Sequence, residues 1–346
     1  MKLMRNPDEA ACHALLRGGS RSFHAASFLL PPAPRRAATA LYAFCREADD
    51  AVDQAAGGDL AAVLADLRWR LAAIYRGAPA NHAADRAFAA VVAQYRIPSA
   101  LPESLLQGFA WDAAGRRYTD LADLLAYAVR VAGTVGAMMA MVMGARHPAT
   151  LARAIELGMA MQLSNIMRDV GEDAAAGRLY LPLAWLDEAG IDAADFLRAP
   201  VCSPALRAVL CRLAREAGSL YDRATPGIAH LPAACRPGIH AARLLYRAIG
   251  ETACGADHDA VRHRAIVPAA QKRALLLHAL PASLAPAAAC AEPPHQAAAQ
   301  LLARVLAAEP KPPLPAAAAK PSRLAWTIDL FAALAMRDRA ANYSAP

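Results

Sequence analysis

Two segments of this chain each carry a pair of aspartates, four residues apart, among apolar neighbours. The first is LYAFCREADDAVD (41–53) and the second is MQLSNIMRDVGED (161–173). The four residues are Asp49, Asp53, Asp169 and Asp173. Residues four apart lie on one face of a helix, so each pair would form a compact acidic site on a helical segment. If such a face points inward, the fold has to supply positive partners for it.

The same faces carry further polar groups. At about 100° per residue, Tyr42 and Arg46 share an arc of about 60° with the first aspartate pair. Gln162 and Asn165 lie beside the second pair, and this face continues backwards as an apolar stripe to Leu151. A face that changes from apolar to acidic suits a ligand with an apolar tail and an anionic head.

These acidic faces have two interpretations, a solvated surface or an internal metal site. One isolated pair is more often a solvated surface, but the apolar stripe indicates that the second face points inward. Inward carboxylates are costly unless they are paired or bind a metal. Mg²⁺ commonly combines one or two carboxylates with substrate phosphates. The pattern therefore predicts a cavity in which metal ions join both helices to a diphosphate.

The remaining pattern is helical throughout. Hydrophobic residues make up 57% of the 346 residues, Ala, Leu and Arg dominate, and alternating runs of β-branched residues are few. Proline and glycine separate the segments. The first predicted helix follows LPPAP (30–34) and stops at Gly57, and the others cover 60–76, 83–95, 102–114, 120–144, 148–176, 204–223 and 236–256, with one more after 262–273. We expect an all-α fold.

The chain shows no domain boundary before about residue 280. We expect residues 1–280 to form one helical domain around a central cavity. Alanine and proline dominate residues 281–321, which predicts a linker. Residues 322–346 contain an amphipathic segment that we expect to pack back on the body as a C-terminal helix.

Charge and cysteine content narrow the partners and the compartment. The net charge of +7 favours an anionic partner, but no segment resembles a nucleic-acid-binding module, so we expect no nucleic acid. The seven cysteines form no CxxC pair, which favours a reducing compartment. The longest apolar run, 131–145, is shorter than the ~20 residues that span a bilayer. We expect a cytoplasmic protein without a transmembrane segment.

Three further segments accompany the acidic ones. They are GSRSFHAAS (19–27), GFAWDAAGRRY (108–118) and YAVRVAGTVGAMM (127–139). Together with YAFCREADDAVD and QLSNIMRDVGEDAAAGRLYLP, they resemble the signatures of the squalene/phytoene synthase family, closest to its bacterial phytoene synthase branch. The resemblance covers about residues 10–275 in the same order.

The resemblance implies the all-α isoprenoid synthase fold and head-to-head prenyl transfer. In the phytoene synthase reaction, two geranylgeranyl diphosphates condense through prephytoene diphosphate to phytoene and release two diphosphates, as the first committed step of carotenoid biosynthesis. The implied cofactor is Mg²⁺ or Mn²⁺, without NADPH. The resemblance leaves room for peripheral contact with the inner membrane and for contact with other carotenoid-pathway enzymes.

Two alternatives stay open. A squalene, dehydrosqualene or hydroxysqualene synthase acting on farnesyl diphosphate would carry the same acidic motifs, although GFAWDAAGRRY favours the phytoene branch. A non-catalytic relative would be expected to lose metal-binding carboxylates, whereas all four aspartates are present here.

The resemblance also assigns roles to individual residues. The metal ligands would be Asp49, Asp53, Asn165, Asp169 and Asp173. The substrate-binding residues would be Ser20, Ser22, Phe23, Tyr42, Arg46, Gln162, Arg168, Tyr246 and Arg264. Tyr127 would complete the catalytic set with the four aspartates, near the reacting carbons, where a phenol steadies positive charge or relays a proton.

The chain departs from the family pattern in one stretch. Where the branch often has Tyr-Asp-x-x-x-Arg-Arg, HDAVRHR (258–264) has His258 and His263. Arg264 is the residue of this stretch that we expect to bind diphosphate. Asp112 belongs to a family motif, but the sequence suggests no mechanism for it.

Overall fold

A computed structural model describes residues 7–19, 21–55, 59–284, 286, 290 and 292–308. Every regular element in these ranges is a helix. The helices are α1 (Pro7–Gly19), α2 (Arg21–Ser27), α3 (Pro32–Gln54), α4 (Leu60–Tyr75), α5 (Ala83–Tyr95), α6 (Ala100–Ala113), α7 (Leu121–Ala128), α8 (Thr134–Val142), α9 (Pro148–Ala175), α10 (Leu183–Glu188), α11 (Ala193–Arg198), α12 (Pro204–Ile228), α13 (Arg236–Ala253), α14 (Ala269–Ala282) and α15 (Gln296–Ala307). A π-helical segment (Val129–Gly133) joins α7 to α8.

Proline and side-chain caps explain why most helix starts were predictable. Pro32, Pro148 and Pro204 occupy the first turns of α3, α9 and α12, where a missing N–H leaves no helical hydrogen bond unmade. The Asp59 carboxylate accepts a hydrogen bond from the backbone at the start of α4. Gly177 follows α9 with φ +73°, a conformation that favours glycine.

Helix α9 is at the centre of the bundle. It packs against α8, α12, α13 and the π segment, and its buried face includes Leu151, Ile155 and Met159. Gly158 permits a close approach to the π segment, since a Cβ there would lie 2.2 Å from the carbonyl oxygen of Ala132. The apolar stripe predicted from sequence is thus an inward-facing surface, as expected.

The predicted helix over 120–144 forms as α7, the π segment and α8 in succession. Among the described residues, this run, Leu121–Val142, is the one helix long and apolar enough by length and composition to cross a membrane. The apolar run 131–145, from which we expected no transmembrane segment, covers only the second half of this helical run. In the fold, 67% of its most apolar window is buried inside the protein, which is the position of a core helix.

The predicted linker over 281–321 does not hold for residues 296–307, which form α15. Helix α15 packs on α6, α7, α9 and the π segment. Its buried residues are Ala298, Leu301, Leu302 and Val305. This spacing is that of one helix face, which the Ala-rich composition obscured. The predicted C-terminal helix in 322–346 lies outside the described residues.

Candidate functional site

A cavity of about 840 Å³ lies inside the bundle. It is lined by residues of α1, α2, α3, α6, α7, the π segment, α8, α9, α12, α13 and α14, by the chain just after α9 and by residues 264–267. One end carries the aspartates of α3 and α9. The other end is mainly apolar and is bounded by the first turns of α9 and the last turns of α12. The cavity therefore has the polarity that the sequence predicted.

Helix α3 contributes the first acidic pair. Asp49 and Asp53 both line the cavity, as does Arg46. The Arg46 guanidinium is bound by Asp50, with Nη2 to Oδ1 at 2.6 Å and Nε to Oδ2 at 3.0 Å. Tyr42 lines the cavity one turn earlier. Asp50, the residue after Asp49, is therefore the carboxylate that holds Arg46.

The GSRSFHAAS motif reaches the cavity near Tyr42. The Phe23 ring stacks on the Tyr42 ring with 5.7 Å between centroids. Gly19 lets the end of α1 lie close to Tyr42, because a Cβ at Gly19 would lie 2.1 Å from the Tyr42 hydroxyl oxygen. Ser20 and the side chain of Ser22 lie outside the described residues.

Helix α9 contributes the second pair. Asp169 accepts hydrogen bonds from Arg168 Nε at 2.8 Å and Nη2 at 2.6 Å, and from Arg264 Nε at 2.7 Å. Both arginines line the cavity. Arg168 lies about 100° round the helix from Asp169, but its long side chain bends back to the acidic face. Arg264 is brought to the site by the loop before α14, as expected for this residue.

Arg178 joins the two acidic helices. Its Nη1 donates to Asp53 Oδ1 at 2.9 Å, and its Nε lies 3.5 Å from Asp173 Oδ1. The turn at Gly177 directs Arg178 back to the cavity after α9 has ended. The sequence assigned no role to Arg178, because its partner on α3 is far away along the chain. The two aspartate pairs thus face each other across one guanidinium.

The acidic end is short of positive charge. Burial, reinforced by Asp53 and opposed by Arg46, raises the pKa of Asp49 to about 6. Burial raises the pKa of Asp173 to about 7, against the opposing effect of Arg178. Both shifts mean that further cations would be stabilised here.

The donor set suits a hard cation. The carboxylates supply oxygen ligands, and the Asn165 Oδ1 is buried with no hydrogen-bond partner among the described residues. The Asn165 Nδ2 donates to Gln162 Oε1 at 3.4 Å, so the Asn165 Oδ1 is left free for a ligand. Within the described ranges, no three His, Cys, Asp or Glu side chains form a closed metal site. The residues therefore fit ions whose coordination substrate oxygens complete.

A cluster of three tyrosines surrounds Asp112 beside the acidic end. Tyr127 donates to Asp112 Oδ2 and Tyr180 to Oδ1, each at 2.8 Å. The Tyr127 and Tyr180 rings stack with 5.2 Å between centroids, and Tyr118 lies 5.2 Å from Tyr127. Burial raises the pKa of Asp112 to about 7, although both phenols lower it. Sequence reasoning found Tyr127 and missed the other members.

Burial, reinforced by the Asp112 charge, raises the pKa of Tyr127 well above its ordinary value. The phenol is therefore neutral at physiological pH and donates a hydrogen bond to Asp112. Tyr127 and Tyr180 both line the cavity, where their rings can face positive charge. The sequence had no signal for this pairing, because Asp112 and Tyr127 belong to two separate motifs.

The other residues assigned from sequence divide into two groups. Gln162 and Tyr246 line the cavity. His258 and His263, at the positions where the chain departs from the family pattern, are not among the lining residues. The carbonyl oxygen of His258 instead accepts from Arg207 Nη2 at 3.4 Å. The two positions that depart from the family pattern are therefore not part of the cavity wall.

Comparison with known proteins places this geometry in a family. The model of the squalene/phytoene synthase family matches residues 16–274, which is most of the chain. The chain belongs to the squalene/phytoene synthase family. The match includes both acidic helices, the tyrosine cluster and Arg264, so the family assignment covers the whole candidate site.

Curated relatives and solved structures agree with this assignment. The chain is 49% identical over 294 residues to the phytoene synthase of Cereibacter sphaeroides, covering 82% of each chain. It is 52% identical over 264 residues to that of Rhodobacter capsulatus, covering 76% of this chain and 78% of the relative. A dehydrosqualene synthase structure matches with a TM-score of 0.70 at 29% identity, covering 79% and 95% of the two chains. The squalene/phytoene synthase member described here thus has the isoprenoid synthase fold.

Proposed function

We propose that this chain catalyses head-to-head condensation of two geranylgeranyl diphosphates to phytoene. As a member of the squalene/phytoene synthase family, the chain is a prenyltransferase that acts on prenyl diphosphates. The observation that carries the proposal is the cavity of about 840 Å³ with two facing aspartate pairs at one end and apolar walls at the other. Relatives at 42–52% identity carry the name phytoene synthase, which favours the twenty-carbon substrate.

The acidic end would bind both diphosphates through metal ions. Asp49, Asp53, Asn165, Asp169 and Asp173 are the residues that would hold Mg²⁺ or Mn²⁺. When bound, the metal neutralises charge that develops on a departing diphosphate. Around these ligands, the chain supplies its own cations.

Arginines of the site change partners when substrate binds. Arg168 and Arg264 share Asp169, and Arg178 lies between the acidic helices. Once those carboxylates held metal, the three guanidiniums would donate to diphosphate oxygens, where charge-assisted bonds are strongest. Arg46 is available in the same way when its pairing with Asp50 loosens.

The reaction balances without a reductant. The C1–O bond of one substrate breaks, and the double bond of the other attacks the allylic cation, loses a proton and gives cyclopropyl prephytoene diphosphate. The second diphosphate then leaves, the cation rearranges and another proton is lost to give phytoene. Apolar walls keep water away from the cations. The rings of Tyr127 and Tyr180 face the cavity and steady positive charge.

The alternative is condensation of two farnesyl diphosphates. The observation that favours it is the structural likeness to a dehydrosqualene synthase. The acidic ends of the two kinds of enzyme would do the same chemistry, so the residues near the metal site do not separate them. Tail length is decided at the apolar end of the cavity.

A product assay tests the proposal. Purified protein with Mg²⁺ and no NADPH receives geranylgeranyl diphosphate in one reaction and farnesyl diphosphate in another, and extracts are identified by mass. We expect phytoene from the first reaction and none when a chelator removes the metal. A thirty-carbon product from farnesyl diphosphate alone would establish the alternative. Folded protein that forms neither product would contradict catalysis.

A further inference from the structure

A buried ion pair lies at the apolar end of the cavity, far from the aspartates. The Arg153 side chain is 3% exposed and that of Glu156 is 0% exposed, with Nη1 and Oε2 2.8 Å apart. Arg153 also lines the cavity. A charged group is costly in such surroundings unless it is fully paired, so its position at the end of an apolar cavity needs an explanation.

Arg153 separates the cavity from the C-terminal segment. On its outer side, Arg153 Nη2 donates to the carbonyl oxygen of Glu292 at 2.8 Å, and Nη1 to that of Arg223 at 3.3 Å. Its Nε is buried with no hydrogen-bond partner among the described residues. Residues 292–308 do not line the cavity themselves. The guanidinium is thus the layer between the cavity and the turn before α15.

The C-terminal segment is held in place by the same network. The backbone N–H of His295 donates to Glu156 Oε1 at 2.7 Å. Arg223 Nη1 lies 2.6 Å from Glu292 Oε2 and its Nη2 lies 3.5 Å from Glu156 Oε1. Helix α15 follows and buries its apolar face on the bundle. Arg153 is therefore fixed by α9, α12 and the C-terminal segment together.

The separation along α9 suits a wall at the end of a prenyl tail. With a rise of about 1.5 Å per residue, the Cα atoms of Arg153 and Asp169 are about 24 Å apart. A diphosphate at Asp169 would direct its tail along the cavity-lining side of α9, past Met161, Leu157 and Ala154, towards Arg153. To pass it, the tail would have to separate a buried ion pair, which is far harder than displacing a flexible apolar side chain.

We propose that Arg153 is the end wall of the cavity and sets the longest prenyl tail that this enzyme accepts. Arg153 is a specificity-determining residue, and Glu156, Arg223 and the turn at 292–295 position it. The inference rests on the proposed function, because it takes prenyl diphosphates as the substrates.

The decisive variant is Arg153→Ala with Glu156→Gln, which opens the wall without leaving an unpaired buried charge. Substrates with fifteen, twenty and twenty-five carbons are compared by kcat/KM. We expect the ratio of twenty-five-carbon to twenty-carbon use to rise at least about tenfold, because the lost side chain makes room for the extra unit. Calorimetry with unreactive thiolodiphosphate analogues should show the same change in affinity. The variant should bind the twenty-five-carbon analogue more tightly, relative to the twenty-carbon one, than the wild type does.

Two controls separate bulk from charge and from general loosening. Arg153→Met with Glu156→Gln keeps the length of the wall and removes its charge, so the ratio should remain within about twofold of wild type. Arg70→Ala with Asp85→Asn removes another buried pair, joined at 2.7 Å between α4 and α5 and absent from the cavity lining, and should leave the ratio unchanged. Two results would contradict Arg153 as the end wall. One is an unchanged substrate ratio in the folded Arg153→Ala, Glu156→Gln variant, and the other is an equal rise of the ratio in the Arg153→Met, Glu156→Gln variant.

A second variant keeps the inference testable if the first does not fold. Ala224 lines the same end of the cavity from α12. Ala224→Leu should reduce use of the twenty-carbon substrate relative to the fifteen-carbon one by about tenfold. An unaltered ratio in this variant would mean that tails do not reach Arg153. Wild-type enzyme that makes no product from any of the substrates would instead contradict the proposed function.

Discussion

At the residue scale, Asp112 holds two phenols in place at the edge of the acidic end. Its carboxylate accepts from Tyr127 and Tyr180, and it lies close enough to Asp49 and Asp173 to share their repulsion. Burial is the main reason that its pKa is raised to about 7. Asp112 therefore binds a proton in the folded protein at pH values where the unfolded chain has released it.

Asp112→Asn should change how stability depends on pH. The folded pKa is about 7 and the ordinary value is 3.8, so between these values the unfolding free energy of the wild type falls as the pH rises. The Asn variant lacks this contribution and should gain stability relative to wild type from about pH 4 to about pH 7. Urea midpoints across this range measure it. Asp187→Asn, at an exposed residue of α10, is the control. If the curves of urea midpoint against pH ran parallel for wild type and Asp112→Asn, the raised pKa of Asp112 would be contradicted.

Asp49→Ala or Asp173→Ala should abolish turnover and leave the fold intact. Both carboxylates line the cavity, and each substitution would remove a ligand for the metal that neutralises the leaving group. Phytoene formation under Mg²⁺ and circular dichroism are the measurements. Asp187→Ala, on the exposed surface of α10, should remain active. Retained turnover in either cavity variant would exclude that aspartate as a metal ligand.

At the scale of elements, the packing of α9 on the π segment and on α8 depends on glycines, which have no side chain. A Cβ at Gly158 would lie 2.2 Å from the Ala132 carbonyl oxygen, and one at Gly136 would lie 2.1 Å from that of Ala154. Both contacts are with backbone, which cannot rotate away. These glycines bring together two of the walls that enclose the prenyl tail.

Gly158→Ala should therefore destabilise the protein by about 1–3 kcal/mol, the usual cost of overpacking a core. Gly218→Ala is the matched control within α12, where a Cβ would meet only the tip of Arg247 at 3.8 Å. That change should stabilise the protein by about 0.5–1 kcal/mol, since alanine favours a helix interior. Urea unfolding measures both. Equal effects of the two substitutions would show that the close approach of Gly158 to the Ala132 carbonyl does not affect the free energy of unfolding.

At the scale of the whole molecule, charge and exposed apolar side chains favour contact with an anionic membrane. The chain has a net charge of +7, and α14 exposes Leu277 at 63% and contributes Lys272 to the cavity lining. Ile266 lines the cavity and is 67% exposed, and Leu284 is 82% exposed. Apolar side chains with nearby basic groups are the features that bind a lipid surface.

We expect the protein to float with vesicles that contain anionic lipid. Leu277→Glu with Leu284→Glu should weaken this binding at least about tenfold, because each inserted leucine contributes about 1.5–3 kcal/mol. Trp69→Glu, at an exposed apolar residue of α4, is the control and should bind as the wild type does. Protein that stays entirely in the soluble fraction at low salt would contradict membrane contact.

The sequence by itself determined most of the long helices, the two acidic faces and the apolar stripe of α9. Periodicity places residues on a helix face, and capping groups mark helix ends, so these features depend only on nearby residues. The aspartates were found in this way, and the family resemblance supplied their roles together with Tyr127 and Arg264.

Only the tertiary structure decided which charged groups meet. Arg178 and Asp53 are 125 residues apart, and Arg153 and Glu292 are 139 residues apart. No local pattern selects such partners, because the choice depends on how the helices pack. The same reason hid the pairing of Asp112 with Tyr180 and the docking of α15. Periodicity assigns a residue to a face, and packing decides what that face contacts.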